Sequence, residues 1–410
     1  MPLIRSASGA QRVFVVSAAA FLLVAPFPSS AGWRVFFLVC ALASLAWQAA
    51  KGTQPLDLRR IPRPFAIAVL AWFALAAASL AWSVDPGYTE QELRRELLYG
   101  AMAFIAFFAG TRTATHLHLW LRMLLVATIV LGVGEWLRLL MPGQEMISKA
   151  SMGPGPFSTH VVLVAPLLLF TLWPGPIGMG RSLRLTLFLG ALLVIAGIAG
   201  DSRILWPALL ASALVAFVAF SAQTSPQHPS RKAAKRAFVV AIVLLPILML
   251  VSTDYKLRKY PQAKTTVESF AFDERPLIWK TAARAVAEHP WIGHGYGREI
   301  IAADLRAELA KAGQLKPYNH GHNVLLDAAI QMGALGLAVF AAMMGALAWA
   351  FAAARKREAG AVLAIVGLAM FAGYFTKNMT DDFFFRPNSL VFWAIAGMLL
   401  GLASRLPPRA

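Results

Sequence analysis

HGHNVLLDAAIQMGALGLAVFAAMMGALAWAFAAA, residues 320–354, decides the fold: two histidines and an asparagine open a run in which Asp327 is the one charged side chain. A hydrocarbon core about 30 Å thick is crossed by about 20 predominantly apolar residues, so 323–354 reads as a membrane-spanning helix. Just ahead of it, residues 253–322 form the long stretch without membrane character, ending in His320-Gly321-His322-Asn323. Polar chemistry set directly against an apolar span predicts a site at a membrane surface.

The rest of the chain repeats the apolar pattern. Of 410 residues, 58% are hydrophobic and only 14% charged, with a mean hydropathy of +0.62. That is too little polar surface to cover a water-soluble globule of this size. Further apolar runs lie at 13–27, 35–50, 65–83, 97–110, 117–140, 159–173, 185–200, 204–221, 237–252, 360–375 and 389–403. The expected fold is therefore an all-α, polytopic membrane bundle of about twelve transmembrane helices, nine in 1–252 and three in 323–410, with 253–322 between them. The alternating pattern of a membrane β-barrel is absent. Arg5, Arg12, an apolar run and Ser29-Ser30-Ala31 imitate a secretory signal, but the first run is read as a retained helix. Cys40 is the single cysteine, which rules out an internal disulfide.

Cations set the orientation, because Lys and Arg in short loops stay on the cytoplasmic side. Lys51, Arg59, Arg60 and Arg63 fall on one side with Arg181 and Arg184. Arg231, Lys232, Lys235, Arg236, Arg355, Lys356, Arg357, Arg405 and Arg409 join them. With an even helix count both termini are expected in the cytoplasm and 253–322 outside. The same loop edges account for much of the +18 charge, so no nucleic-acid partner is inferred.

Two amphipathic helices are legible in 253–322. One is capped by Asp273 or Glu274, has Pro276 in its first turn, recurs at Ile278, Ala282, Ala283 and Val286, and stops at His289-Pro290. The other runs from Arg298 through Ile301, Leu305 and Leu309 to Gly313. They are expected on the membrane surface or over a cavity, with Arg275, Lys280, Arg284, Arg298 and Arg306 open to anions. Between them, 290–297 (PWIGHGYG) is a glycine-dense turn: either a plain connection, or backbone N–H groups brought close to a ligand.

Arg203 stands in Asp201-Ser202-Arg203, a polar corner between two apolar spans on the external side. A boundary arginine is costly without a partner, so it is either paired locally with Asp201 or functional. Two guanidinium forks from distant segments, Arg203 and Arg275, would suit a diphosphate and the charge developing on it as a leaving group. Imidazole as a group changes charge near neutral pH, so a neutral His322 could accept a proton from a sugar hydroxyl, with His320 two residues away. A hydrogen-bonded cap and a metal pair are the rival readings. The metal pair lacks nearby Cys, Asp or Glu in the sequence, so neither metal nor cofactor is expected. Asp327 could orient one histidine. Glu135 with Arg138, and Lys377, Asp381, Asp382 and Arg386, read as ion pairs or rim residues. No repeat or nucleotide-binding loop is present.

These residues resemble the bacterial O-antigen ligases and their relatives in the O-antigen polymerase superfamily. Asp201-Ser202-Arg203, Arg275-Pro276-Leu277-Ile278-Trp279, the 290–295 turn, His322-Asn323-Val324-Leu325-Leu326 and the 333–336 segment carry the likeness, as do the helix count and the long external loop. Ile204 departs from it, since many relatives have glycine there. The resemblance implies a GT-C-type, inverting, metal-independent glycosyl transfer at the periplasmic face of the inner membrane. The donor would be a glycan on undecaprenyl diphosphate and the acceptor a sugar of the lipid A-core, both reached through membrane lipids. Arg203 and Arg275 then hold the diphosphate and His322 activates or positions the acceptor, with His320, Arg284, Arg298, Lys377 and Tyr296 as substrate contacts. An O-antigen polymerase or a protein O-oligosaccharyltransferase would use the same arginines. A secondary transporter is the rival of another class, disfavoured here because no paired broken helices are visible. Nothing in the sequence specifies an oligomeric state.

Overall fold

A computed structural model of the chain describes residues 8–141, 151–173, 175–180, 182–199, 202–223, 229–259, 275–311 and 318–409. Among these the chain is helical throughout, with a single isolated bridge, Arg357 to Pro408. The elements are α1 (Gly9–Val24), α2 (Ala31–Ala50), α3 (Arg63–Ala78), α4 (Pro86–Glu92), a π-turn (Leu93–Leu98) and α5 (Tyr99–Gly110). There follow α6 (Ala114–Leu140), α7 (Pro154–Val164), α8 (Leu183–Ala199), α9 (Leu205–Ser221) and α10 (Pro229–Lys259). The last five are α11 (Arg275–Glu288), α12 (Ala302–Lys311), α13 (Val324–Ala353), α14 (Ala361–Asn378) and α15 (Arg386–Ala403).

Eight helices among the described residues are long and apolar enough to cross a membrane, and three shorter apolar helices accompany them. The protein is thus an all-α, polytopic membrane protein. Two helices extend well past the sequence reading. α10 continues seven residues past the expected edge at 252, to Lys259. The apolar run at 97–110 is the second half of a longer rod that begins at Pro86, capped by the Asp85 side chain on the Tyr88 N–H, 2.9 Å.

The packing gives the bundle two chemically distinct ends. At one, Arg60 donates to the Ser404 carbonyl (3.0 Å), Arg405 to the Phe108 carbonyl (2.9 Å) and the Arg409 N–H to the Lys356 carbonyl (2.8 Å). These are loops that the charge pattern places together. The 202–203 corner, the 320–322 loop and the 379–385 turn gather at the other.

α11 and α12 do form. Their apolar faces do not lie free on a membrane surface: Ile278, Ala282, Ile301, Leu305 and Leu309 close on Ile330 of α13. The caps expected at Asp273 or Glu274 and at Gly313 lie outside the described residues.

α13 is not the uninterrupted rod that its composition suggests. Met332 and Gly333 leave helical geometry, Gly333 at φ +63°. The 290–297 turn fills the break: His294 and Gly295 N–H groups donate to the Ile330 and Gln331 carbonyls (3.0 and 2.9 Å), and the Ala334 and Leu335 N–H groups donate to Pro290 and Trp291 (2.8 and 3.2 Å). Backbone groups freed inside an apolar layer need such partners, and here a loop supplies them. Glycine is required on both sides, since a Cβ on Gly333 would sit 2.3 Å from the Trp291 carbonyl carbon and one on Gly293 would sit 2.5 Å from Gln331 backbone.

Candidate active site

The site forms where α13 begins. Asn323 caps that helix, its Oδ1 accepting the Leu325 and Leu326 N–H groups at 3.0 and 3.2 Å. Asp327, buried one turn in, accepts the Gly321 N–H at 2.6 Å and lies 3.3 Å from Nδ1 of His320. The loop before the helix is thereby pulled tight, and His322 takes a left-handed φ of +51°, uncommon for a residue with a Cβ and a mark of functional sites. The two imidazoles stack with centroids 4.0 Å apart.

Their environments differ. Both nitrogens of His320 are engaged within the protein: Nδ1 lies against Asp327 and accepts the His322 N–H at 3.1 Å, and Nε2 accepts from the Arg298 guanidinium. Burial, and then Arg298, push this imidazole down to about 3, so it stays neutral at physiological pH. His322 instead places Nδ1 3.1 Å from Oδ1 of Asp381. A proton held on Nδ1 by that carboxylate leaves Nε2 as a lone-pair base. Burial alone would raise the Asp381 carboxyl, but the His322 hydrogen bond and the nearby imidazoles and Lys377 outweigh it and hold the group below the ordinary carboxylate range. Its neighbour Asp382 is pushed up to about 6 by burial and then by Asp327.

The turn carrying Asp381 draws the other candidates in. The Arg275 Nε–H donates to the Thr380 carbonyl at 2.7 Å, one residue before the His322 partner. Lys377, buried at the end of α14, donates to Oγ of Ser202 at 3.1 Å and so ties the Arg203 corner to the same turn. Asp201, the local partner considered for Arg203, lies outside the described residues. Arg275 thus reaches this turn directly, and Lys377 at the end of α14 joins the 202–203 corner to it.

Other candidates are placed differently. Arg298 is occupied by His320, Asp381 (3.8 Å) and Asp382 (3.9 Å), and its guanidinium stacks on Phe385 at 4.6 Å. Its charge is balanced within the protein, which suits a brace better than an anion ligand. Arg284 is exposed on the outer face of α11, on the side of Glu308. Tyr296 is buried against Trp72, and the N–H groups of the glycine turn are taken up by the bundle, as in Tyr296 N–H to Ser79 Oγ and Gly297 N–H to Gln331 Oε1, both 3.0 Å. That turn is an anchor. Glu135 is the structural group expected, bonded to Arg138 (2.9 Å) and Ser151 (2.6 Å).

Asp381 is the residue that sequence reasoning left at the rim. Its signal was an Asp-Asp pair following a span end that already carries Lys377, a concentration of charge at a membrane boundary. It also supplies the carboxylate that the two histidines lack in sequence: ligand atoms of His320, His322 and Asp381 all lie within 4.8 Å of one another. A divalent ion there would have to share the space with the Arg298 guanidinium on Nε2 of His320, so the three side chains suit a metal poorly, whereas the His322 and Asp381 pair suits proton transfer.

Residues 188–341 match a family model described as O-antigen ligase. Over that segment the chain is similar to the O-antigen ligases. It is 29% identical over 132 residues to the O-antigen ligase of Pseudomonas aeruginosa, a match that covers 31% of this chain and 29% of that protein's length. The family match encloses Arg203, Arg275, Arg298, His320 and His322 and ends before Lys377, Asp381 and Asp382. Those three join the site through folding.

Proposed function

We propose that this protein is a glycosyltransferase that moves a glycan from undecaprenyl diphosphate to a sugar hydroxyl of the lipid A-core, at the periplasmic face of the bacterial inner membrane and with both termini in the cytoplasm. The observation that carries the reading is the His322 to Asp381 contact on the same turn that holds Arg275 and, through Lys377 and Ser202, the Arg203 corner. A base and a set of cations are what an inverting displacement on a glycosyl diphosphate requires.

In that reaction Nε2 of His322 accepts the proton of the acceptor hydroxyl as its oxygen attacks the anomeric carbon from the face opposite the diphosphate. The new C–O bond forms as the bond to the diphosphate oxygen breaks, so the configuration inverts. Asp381 keeps the tautomer correct and offsets the imidazolium charge. Arg203, Arg275 and Lys377 meet the charge gathering on the leaving diphosphate, and planar guanidinium forks suit its paired oxygens. The diphosphate link supplies the driving force, and no cofactor is needed.

The test is transfer between two purified lipids in detergent, where no gradient exists and a transporter would be silent. His322→Ala should lower the rate by about 10²–10⁴-fold, the range of general base catalysis. Arg275→Ala and Arg203→Ala should each lower it by about 10²-fold or more, as expected for loss of a charge-stabilising donor. Full activity in any one variant removes that residue from the mechanism.

A further inference from the structure

Beside the His322 and Asp381 pair lies a cavity of about 370 Å³, within the range of about 300–1,000 Å³ usual for ligand sites. Its walls come from α3, α5, α13 and α15. Along α13 it runs from Val324 and Ala328 to Phe340 and Met343, roughly 28 Å at 1.5 Å per residue. The long walls are apolar, including Ala66 and Val69 of α3 and Ala101 and Ile105 of α5. α3 packs along α13 and meets the α4–α5 rod chiefly at the π-turn. Its outer side is open, with Ile67 67% and Leu70 68% exposed. The shape is a slot parallel to the helices, walled by a helix that faces lipid.

Charge decides what the slot takes. Its polar lining is Glu96, Asp382, Gln331, Tyr296 and Ser389, and no lysine or arginine lines it. Arg298 reaches this mouth but is committed to Asp382 (3.9 Å) and His320, while Arg275 lies across the 380–382 turn, where Thr380 accepts from it and Asp381 holds His322. A diphosphate head would meet carboxylates at this mouth, whereas sugar hydroxyls would donate hydrogen bonds to them.

We propose that this slot binds an acyl chain of the acceptor glycolipid, seating its hydroxylated head at Glu96 and Asp382 beside Nε2 of His322, while the donor's diphosphate approaches from the Arg275 and Lys377 side. The assignment rests on the transfer reaction proposed above and adds where each lipid sits. The two substrates then reach the base from opposite sides of one turn.

Two photoreactive probes test it on wild-type protein in detergent: lipid A-core with a diazirine on an acyl chain, and a polyprenyl diphosphate with a diazirine on its isoprenoid chain. The acyl probe should label peptides spanning 65–73 and 97–105, and the polyprenyl probe should not. Labelling there by the polyprenyl probe, or by neither, overturns the assignment. Ala101→Trp and Ala66→Trp, which fill the slot, should raise the acceptor KM about tenfold and leave the donor KM within about twofold. An unchanged acceptor KM in both variants, or a rise in donor KM instead, overturns it equally. Absence of transfer by the wild-type protein would sink the proposed function, and the crosslinks alone would then judge the slot.

Discussion

His320 and His322 share a side-chain type, a loop and a ring stack, yet the fold assigns them opposite work. Arg298 and Asp327 occupy both nitrogens of His320. Asp381 engages only Nδ1 of His322, which leaves Nε2 for chemistry. Asp381→Asn should therefore slow transfer by about 10-fold or more while leaving donor KM unchanged, because it loosens the tautomer and removes no binding group. The same carboxyl gives a pH signature. Since its folded pKa is depressed, its contribution to stability is present above the ordinary aspartate value of about 4 and is lost as pH falls below it. The difference in melting temperature between wild type and Asp381→Asn should accordingly be larger near neutral pH than near pH 3, followed by thermal unfolding in detergent. An equal difference at both pH values would mean that Asp381 is not held ionised by His322.

At the scale of elements, the break in α13 and the 290–297 turn form one unit. The turn completes the helix's interrupted hydrogen bonds, and it links the Gln331 side chain of α13, through Gly297, to Ser79 at the end of α3, through Tyr296. Gly333→Ala should destabilise the protein by about 2 kcal/mol or more, because it adds a left-handed alanine to a close backbone contact. Gly345, on the same helix with open space around its Cβ position, provides the control: Gly345→Ala should be neutral or slightly stabilising. A small loss at Gly333, equal to that at Gly345, would show that the turn does not depend on the break. The gap in α13 is filled by protein, unlike the broken helices around which transporters build their sites.

For the whole molecule, the proposed roles predict that a strain lacking the gene accumulates bare lipid A-core with its glycan stalled on the carrier, seen by electrophoresis of lipopolysaccharide. Core bearing a single repeat would indicate a polymerase instead. Transfer by the purified protein should change by less than about twofold on adding EDTA, since Arg298 supplies the cation next to His320. Loss restored by a divalent ion would turn His320, His322 and Asp381 into a metal site. Apolar run length and the spacing of cations specified the membrane, the helical class and the grouping of loops, because both depend on local composition that any window of the chain displays. The amphipathic periods of α11 and α12 were legible for the same reason, and Arg203, Arg275 and His322 stood out as candidates because each is a polar group that an apolar neighbourhood makes costly. Two things were settled by tertiary structure. The α13 break depends on a loop about 40 residues upstream whose N–H groups replace the helix's own. The partnership of His322 with Asp381 joins residues 59 positions apart, and only packing of α14 against α13 brings the carboxylate to the imidazole. A contact energy between distant residues has no trace in local composition, so this imidazole and this carboxylate became a pair only when the chain folded.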